Sequence, residues 1–280
     1  MDGHFRAFSF VDRITALESG SSVRGRYLIP SHLAVFPAAL VAEAVGQLAA
    51  WAAMAALEFK CRPVAGLAAG VTFFSAAKPG QVLELSARLE TLDAEAVAYH
   101  GMAQIDGQPV IELRDCVGPM LPIEQFDDPQ ALRERFALLC GTGAAPGVFG
   151  GVESLALDAV SRDEGPCVRA TLRVPVDAPF FADHFPLRPV LPGTLLLNAN
   201  LELVSVLAAD LPPALAGTTW VVQDVSDVKL RAFTPPGGTL TTEARLTQLT
   251  AEAAVVKVET REGKRLVGGA QVRLMPQRCL

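Results

Sequence analysis

An internal repeat constrains the fold of this chain more than any other feature of its 280 residues. Two proline-led apolar helical segments begin 155 residues apart, one at Pro37 and the other at Pro192. Glu43 and Asn198 occupy the same position in the two copies. Proline suits the first turn of a helix, where its missing backbone N–H costs nothing. A repeat of this length predicts two similar domains in one chain.

The segments that follow the two helices also repeat. Runs of β-prone residues separated by turn dipeptides, such as Asp106-Gly107 and Glu262-Gly263, predict antiparallel strands. In the first half we expect strands at residues 71–74, 82–89, 99–105 and 109–113. In the second half we expect them at residues 221–222, 225–233, 240–246, 253–259 and 265–274. With another strand ahead of each helix, each half is predicted to be an α+β domain.

The stretch between the two copies predicts a domain boundary. A polar helical segment at residues 129–140 precedes a run rich in glycine, alanine and proline at residues 141–151. We therefore expect one domain at 1–145, including a linker helix, and another at 146–280. The helix predicted at residues 38–57 is rich in alanine and apolar on nearly all sides, so a sheet can curl closely around it. Two such domains are expected to pair as a pseudo-dimer.

Composition and charge exclude several classes of protein. Half of the residues are hydrophobic, which excludes a disordered chain. The net charge is −6 and no basic stripe is visible, so we expect no nucleic-acid partner. Five scattered cysteines and four histidines offer no zinc spacing, which predicts reduced thiols, no metal site and a cytoplasmic location. We expect no targeting segment, because the N-terminus lacks a basic region followed by an apolar run. We expect no membrane span, because Glu43 and Gln47 interrupt the apolar helix.

The segment ahead of the second helix is the richest in chemically useful side chains. Residues 180–193 read Phe-Phe-Ala-Asp-His-Phe-Pro-Leu-Arg-Pro-Val-Leu-Pro-Gly. His184 titrates near neutrality, as a general base requires. Gly193 at the helix start presents a backbone N–H, with the helix dipole behind it, to a developing oxyanion. This pattern indicates an acid–base site.

The motif His-Phe-Pro-x-x-Pro-Val-x-Pro-Gly, followed by an apolar helix, resembles the active-site segment of the (3R)-hydroxyacyl-ACP dehydratases. These enzymes are the FabA/FabZ family, whose fold is the hot-dog fold. In that family an acidic residue follows five positions after the glycine, where this chain has Asn198. The first half shows the reverse: Glu43 to Gln47 matches the acidic helix motif, but Ile29 aligns with the histidine and Ala38 with the glycine.

The resemblance implies two tandem hot-dog domains that share one composite active site. In family dimers each site takes its histidine from one subunit and its acid from the other. His184 and Glu43 belong to different halves and would form one site. Ile29 and Asn198 would form the other, which should be inactive.

The implied activity is that of a hydro-lyase, a 3-hydroxyacyl-[acyl-carrier-protein] dehydratase that converts a 3-hydroxyacyl thioester into a trans-2-enoyl thioester. By the resemblance, Gln47 would orient Glu43, and the acyl chain would run in an apolar tunnel along the two central helices. The residues expected to contact substrate are Phe181, Asp183 (through its backbone), Phe185 and Pro192. The substrate would arrive on the phosphopantetheine of an acyl carrier protein or on CoA, in fatty acid or polyketide biosynthesis. No metal or further cofactor is implied.

Other interpretations remain open. Arg188, Lys229 and Arg231 could hold a phosphopantetheine or could be ordinary solvated surface. Hot-dog domains also serve as acyl thioesterases, and a dehydratase could add a double-bond shift. A non-catalytic acyl-binding or scaffold protein is a further alternative. A homodimer of pseudo-dimers is one assembly that such a chain can form.

Overall fold

Each half of the chain is built around one long apolar helix. The computed structural model describes residues 5–163 and 165–278. Its helices, in chain order, are α1 (Ala38–Ala56), α2 (Pro129–Cys140), α3 (Phe181–His184) and α4 (Gly193–Ala209). The long helices α1 and α4 begin directly after Pro37 and Pro192, as the repeat predicts. Twelve of the nineteen residues of α1 are buried, so this helix is the core of the first half.

Strands precede and follow the long helix in both halves. The first half contains β1 (Arg13–Glu18), β2 (Ser22–Leu28), β3 (Cys61–Pro63), β4 (Leu67–Phe73), β5 (Val82–Leu92), β6 (Ala96–Ile105) and β7 (Gln108–Pro122), followed by a 3₁₀ turn (Ile123–Gln125). The second half contains β8 (Leu157–Asp163), β9 (Cys167–Arg173), β10 (Thr218–Leu230), β11 (Thr239–Leu249), β12 (Ala254–Glu262) and β13 (Arg265–Arg278).

Two strands, not the single predicted one, precede each long helix. The additional strands are β1 and β8, which lie at the two ends of the sheet. Nearly all of their side chains are exposed or half-buried. Strands of this kind lack the alternation of apolar and polar residues that a sequence pattern can reveal.

One continuous antiparallel sheet runs through both halves. Its strand order is β1-β2-β5-β6-β7-β4-β10-β13-β12-β11-β9-β8, and β3 pairs with β7 off this path. The halves meet where β4 pairs with β10, for example at Val71 and Val225. From this junction outward, the second half repeats the strand order of the first. The molecule is therefore a pseudo-dimer of two helix-wrapping sheets.

Small residues allow the sheet of the first half to approach α1 closely. A Cβ atom added to Gly101 on β6 would lie 2.3 Å from Cγ1 of Val45, and one added to Gly25 on β2 would lie 2.8 Å from Cδ1 of Leu48. By length and composition α1 could cross a membrane, but 67% of its most apolar 18-residue stretch is buried inside the fold. The burial of α1 accounts for its apolar character.

The segment between the halves contains α2, as the sequence predicts, followed by irregular chain. Asp128 caps α2 by accepting a hydrogen bond from the N–H of Gln130 at 2.9 Å. The division into domains 1–145 and 146–280 stays a prediction. Of the cysteines, Cys61, Cys116, Cys140 and Cys167 are free thiols in the described chain, whereas Cys279 lies outside the described residues.

Candidate active site

A cavity of about 200 Å³ is lined by residues from both halves. Glu43 reaches it from α1, and His184 reaches it from α3. Gly193 and Thr194 line it at the start of α4. Of the residues singled out from the sequence, those in the lining are Glu43, Gln47, Asp183, His184, Phe185 and Gly193.

Two of the residues expected to contact substrate are placed elsewhere. Phe181 is buried and packs against Phe180, with 4.4 Å between the ring centroids. Pro192 is the residue before α4 and is also buried. Neither belongs to the cavity lining in the described chain. Phe181 instead belongs to the hydrophobic core, and Pro192 occupies the N-cap position of α4.

The carboxyl group of Glu43 is held by one residue from each half. Thr194 Oγ1 donates a hydrogen bond to Oε2 at 2.7 Å, and Gln47 Nε2 donates one to Oε1 at 2.9 Å. Burial raises the pKa of Glu43 above its ordinary value, although these two hydrogen bonds and the charge of Arg62 oppose the rise. The environment of Glu43 therefore shifts it toward the neutral carboxylic acid, the form that can donate a proton.

Gln47 is in turn fixed by the N-terminal segment. Its Oε1 accepts a hydrogen bond from the N–H of Phe10 at 2.9 Å, and its Nε2 donates to the carbonyl of Phe8 at 3.0 Å. A side-chain amide with both ends engaged has a defined orientation. Gln47 is placed as an orienting residue for Glu43 would have to be.

The imidazole of His184 is half-buried at the cavity and uncharged. Burial lowers the pKa of His184 to about 3, with a further contribution from the nearby Arg62 cation. Nδ1 lies 3.3 Å from the carbonyl oxygen of Val190. Because a carbonyl only accepts hydrogen bonds, this contact favours the tautomer with the proton on Nδ1 and leaves Nε2 as the basic nitrogen. The ring also packs edge-to-face on Phe8 at 5.7 Å.

Arg62 also lines the cavity, although no sequence pattern singles it out. Its guanidinium forms an ion pair with Asp127, and Nη2 donates a hydrogen bond to the backbone carbonyl of His184 at 2.9 Å. It also lies 4.5 Å from the centroid of the Phe185 ring. Burial lowers the pKa of Arg62 to about 9, opposed by the nearby Glu43. Arg62 stands on the three-residue strand β3, where no motif or repeat marks it.

Asp183 uses its side chain where the sequence predicts a role for its backbone alone. The buried carboxylate accepts hydrogen bonds from the N–H groups of Phe5, Ala7 (2.5 Å) and Phe8 (2.9 Å). It thereby anchors the N-terminal segment beside His184. A buried carboxylate requires such donors, but donors about 175 positions away cannot be foreseen from sequence.

Gly193 begins α4, where a backbone N–H has no acceptor within the helix. A Cβ atom at this position would lie only 2.3 Å from Cδ1 of Leu230 on β10. A side chain at this position would therefore force the Leu230 side chain to move. The same residue borders the cavity, so a ligand can reach its backbone.

The counterpart positions of the repeat carry no acid–base pair. Ile29 is fully buried, and Asn198 Nδ2 donates a hydrogen bond to Oε1 of Glu202 at 2.8 Å. Of the other histidines, His32 is exposed and His100 contacts two surface carboxylates. His4 lies outside the described residues.

The three basic side chains considered for phosphopantetheine lie on the surface. Arg188 lies over the rings of Phe126 and Phe233, at 5.6 and 4.7 Å. Lys229 is 3.9 Å from Asp227, and Arg231 is exposed. None of the three lines the cavity in the described chain.

Among the residues that the structure describes, two groups of potential metal ligands lie outside the cavity. They are Glu90, His100 and Asp115, and Asp163, Cys167 and Glu243. In the second group Arg169 already forms ion pairs with both carboxylates, at 2.9 and 2.6 Å. Their members come from neighbouring strands, so sequence spacing does not reveal them.

Comparison with solved structures identifies the class of fold. The dehydratase domain of PpsC from Mycobacterium tuberculosis in complex with C12:1-CoA superposes with a TM-score of 0.57 and 14% identity, covering 97% of this chain and all of that domain. The 12:0-ACP thioesterase from Umbellularia californica gives a TM-score of 0.55 and 10% identity, covering 91% of this chain and 94% of the thioesterase. The chain is therefore a double hot-dog protein, which confirms the predicted fold class.

The sequence comparisons find similarity in the second half of the chain. Residues 154–274 match the FabA-like domain. A 3-hydroxyacyl-[acyl-carrier-protein] dehydratase FabZ from Albidiferax ferrireducens is 31% identical over 101 residues, which are 35% of this chain and 66% of the relative. The chain spans just under two thirds of the length of that relative and about half of other FabZ relatives. The second half of this chain is therefore similar to the FabA-like domain, and its FabZ relatives are matched over part of their length.

Proposed function

We propose that this protein is a hydro-lyase that removes water from a 3-hydroxyacyl thioester to give a trans-2-enoyl thioester. The observation that carries the proposal is the 2.7 Å hydrogen bond from Thr194 Oγ1 to Glu43 Oε2. It joins the acid of the first half to the helix start of the second half. His184 borders the same cavity, so one composite site would hold a base and an acid.

The proposed reaction uses three groups of this chain. Nε2 of neutral His184 takes the C2 proton, and the C2–H electrons form the C2–C3 double bond. The N–H of Gly193 would stabilise the negative charge that develops on the thioester oxygen. Glu43, as a carboxylic acid, donates its proton to the C3 hydroxyl, which leaves as water. The protonated His184 then gives up its proton, and this proton returns Glu43 to the carboxylic acid form.

The protonation states support this division of roles. Burial holds His184 neutral at physiological pH and favours the neutral form of Glu43. Two titratable groups with pKa values displaced in opposite directions are suited to act as base and acid. Thioester hydrolysis would instead need an ionised carboxylate to activate water, and the raised pKa of Glu43 disfavours that form.

The proposed substrate is an acyl group carried on an acyl carrier protein or on CoA. The FabZ relatives are named for acyl-carrier-protein substrates, and the PpsC domain was solved with an acyl-CoA. Much of the cavity wall comes from α1 and the sheet of the first half, including Ala42, Ala49 and Met54. We therefore place the acyl chain along α1 rather than along both central helices. The chemistry proposed needs no metal or redox cofactor, and we propose a cytoplasmic location.

The test is hydration of a trans-2-octenoyl pantetheine thioester, followed by loss of enoyl absorbance. His184→Ala and Glu43→Gln should each lower kcat/KM by about 10²-fold or more. Asn198→Glu is the matched control, because it places an acid opposite Ile29 and should leave the rate unchanged. Full activity in His184→Ala would overturn the proposal, as would release of free thiol in place of hydration.

A further inference from the structure

Two polar side chains face the cavity from the sheet of the first half. Tyr99 on β6 and Cys116 on β7 are directly paired in the sheet, and both line the cavity. The two side chains lie on the same face of the sheet, because residues directly opposite each other on paired antiparallel strands point to the same side. The neighbouring lining residues Val97 and Leu113 are apolar. The pair therefore puts hydrogen-bonding groups into a wall that is otherwise suited to a hydrocarbon chain.

The second half shows that the fold does not require this pair. By strand register, Tyr99 and Cys116 correspond to Val256 and Val272, which are also directly paired. Both valines are buried, at 0% and 1% exposure. The polar pair thus occurs in the half whose sheet supplies most of the strand residues that line the cavity, whereas the other half fills the same positions with apolar core.

A β-bulge adjoins the polar pair. Between Tyr99 and Gly101 the register with β7 shifts, whereas Val256 to Val258 on β12 pair regularly with β13. Asp115 at the bulge has a φ of 47°, and its N–H donates to His100 Nδ1 at 3.2 Å. Bulges re-aim side chains next to binding sites. The bulge is a second feature that distinguishes β6 and β7 at the cavity from the corresponding strands β12 and β13 of the second half.

Gly46 on α1 leaves room at the Tyr99 hydroxyl. A Cβ atom on Gly46 would lie 3.3 Å from the Tyr99 oxygen, and Gly46 itself lines the cavity. The repeat has Leu201 at this position. Glycine is unfavourable inside a helix, so an open space is a physical reason for its presence. Gly46 follows Glu43 by three residues, which is about 4.5 Å along the helix axis.

We propose that the Tyr99 hydroxyl, backed by Cys116, binds a hydroxyl or oxo oxygen on the acyl chain, a few carbon atoms beyond C3. The preferred substrates would then be oxygenated 3-hydroxyacyl thioesters rather than plain hydrocarbon chains. This inference rests on the proposed function, because it takes Glu43 as the group that contacts the C3 hydroxyl.

The charge state of the pair supports a neutral ligand group. Burial raises the pKa of Tyr99 well above its ordinary value and raises that of Cys116 to about 11. Both groups are therefore uncharged at physiological pH. A neutral phenol can donate to and accept from a hydroxyl, or donate to an oxo group.

The test uses unreactive pantetheine amides, whose binding is measured by calorimetry. One carries 3-hydroxyoctanoate, and the others carry a second hydroxyl at C6 or at C7. The wild-type chain should bind one dihydroxy amide about tenfold more tightly than the plain amide. Tyr99→Phe should reduce this ratio to about one without weakening the plain amide. Gly46→Ala, which fills the space at the hydroxyl, should also abolish the preference.

Tyr27→Phe is the matched control, because it removes a buried hydroxyl that lies outside the cavity lining. It should leave the preference intact. Equal affinities for all the amides in the wild type, or an unchanged preference in Tyr99→Phe, would overturn the inference. Because amides bind without reacting, failure of enoyl hydration would overturn the proposed function alone and leave this result standing.

Discussion

A single buried cation lies beside both titratable groups of the cavity. Arg62 lowers the pKa of His184 and opposes the rise in the pKa of Glu43. It also donates a hydrogen bond to the His184 carbonyl, so it fixes the position of the residue whose charge it influences. Arg62 is a positioning residue in the proposed reaction, acting through His184.

Replacing Arg62 by Met should shift the pH dependence of hydration. Removing the cation raises the pKa of His184, and a protonated imidazole cannot accept the C2 proton. The acid limb of kcat/KM against pH should therefore move to higher pH.

Arg62→Met should also cost about 3–5 kcal/mol of stability, because Asp127 is left buried without its partner. The double variant with Asp127→Leu should recover stability in urea unfolding yet keep the shifted limb. If the acid limb of the pH profile is unshifted in both variants, Arg62 does not act on the reaction through His184.

Asp12 should make stability depend on pH. Burial raises the pKa of its carboxyl to about 6, whereas an unfolded aspartate titrates near about 3.9. The folded state thus binds a proton more tightly, so ionisation penalises folding as the pH rises through 6, and the penalty is absent below about pH 4. Asp12→Asn keeps an oxygen that can accept from the Leu28 N–H. It should stabilise the chain by roughly 1 kcal/mol at pH 7.5, allowing for solvent screening. Urea unfolding at pH 7.5 and pH 4.5 should show the full gain at the higher pH and a much smaller gain at the lower pH.

Residues with a motif could be predicted from sequence, and residues defined only by tertiary contact could not. His184, Glu43 and Gln47 belong to short local patterns, and the structure places all three at the cavity. Arg62 and Thr194 have no such pattern. Their contacts join different halves of the chain, so their relevance depends on how the halves pack.

Among the elements, the close approach of β6 to α1 depends on glycine. A side chain at Gly101 would overlap Val45, because the added Cβ would lie 2.3 Å from Cγ1. The elements themselves follow strong signals: α1 and α4 begin after their prolines, and most of the central strands fall where alternation and turns predict them. The sheet order was not predictable in detail, because β1 and β8 are exposed edge strands and β4 meets β10 across the two halves.

Gly101→Ala should destabilise the chain by about 1–3 kcal/mol, because overpacking forces α1 away from β6. Combining it with Val45→Ala should cost less than the sum of the two single changes, since the second change removes the clashing methyl groups. Gly150→Ala is the control, because its added Cβ meets nothing within 4 Å and should leave stability unchanged. Urea unfolding of the four variants gives the coupling. Strict additivity of the two changes would contradict the packing argument.

In the whole molecule, the two halves have the same fold but carry different residues at the corresponding site positions. The two halves share strand order and helix position, yet Glu43 and His184 meet at one cavity while Ile29 and Asn198 occupy the counterpart positions. A covalent fusion permits this divergence, because one chain always supplies both halves. A homodimer of identical subunits would carry the same residues in both of its sites.

The fusion of both halves in one chain predicts that two inactive variants cannot restore each other's activity when they are mixed. If one chain supplies both groups, His184→Ala and Glu43→Gln chains cannot complement each other, since each cavity keeps its own defect. An equimolar mixture, unfolded together and refolded, should hydrate the enoyl thioester no faster than the separate variants. Wild-type protein taken through the same cycle gives the recoverable activity. If the site instead drew its histidine and its acid from two chains, mixed dimers would regain a measurable part of that activity. The 2.7 Å bond between Thr194 and Glu43 within one chain is the reason to expect none.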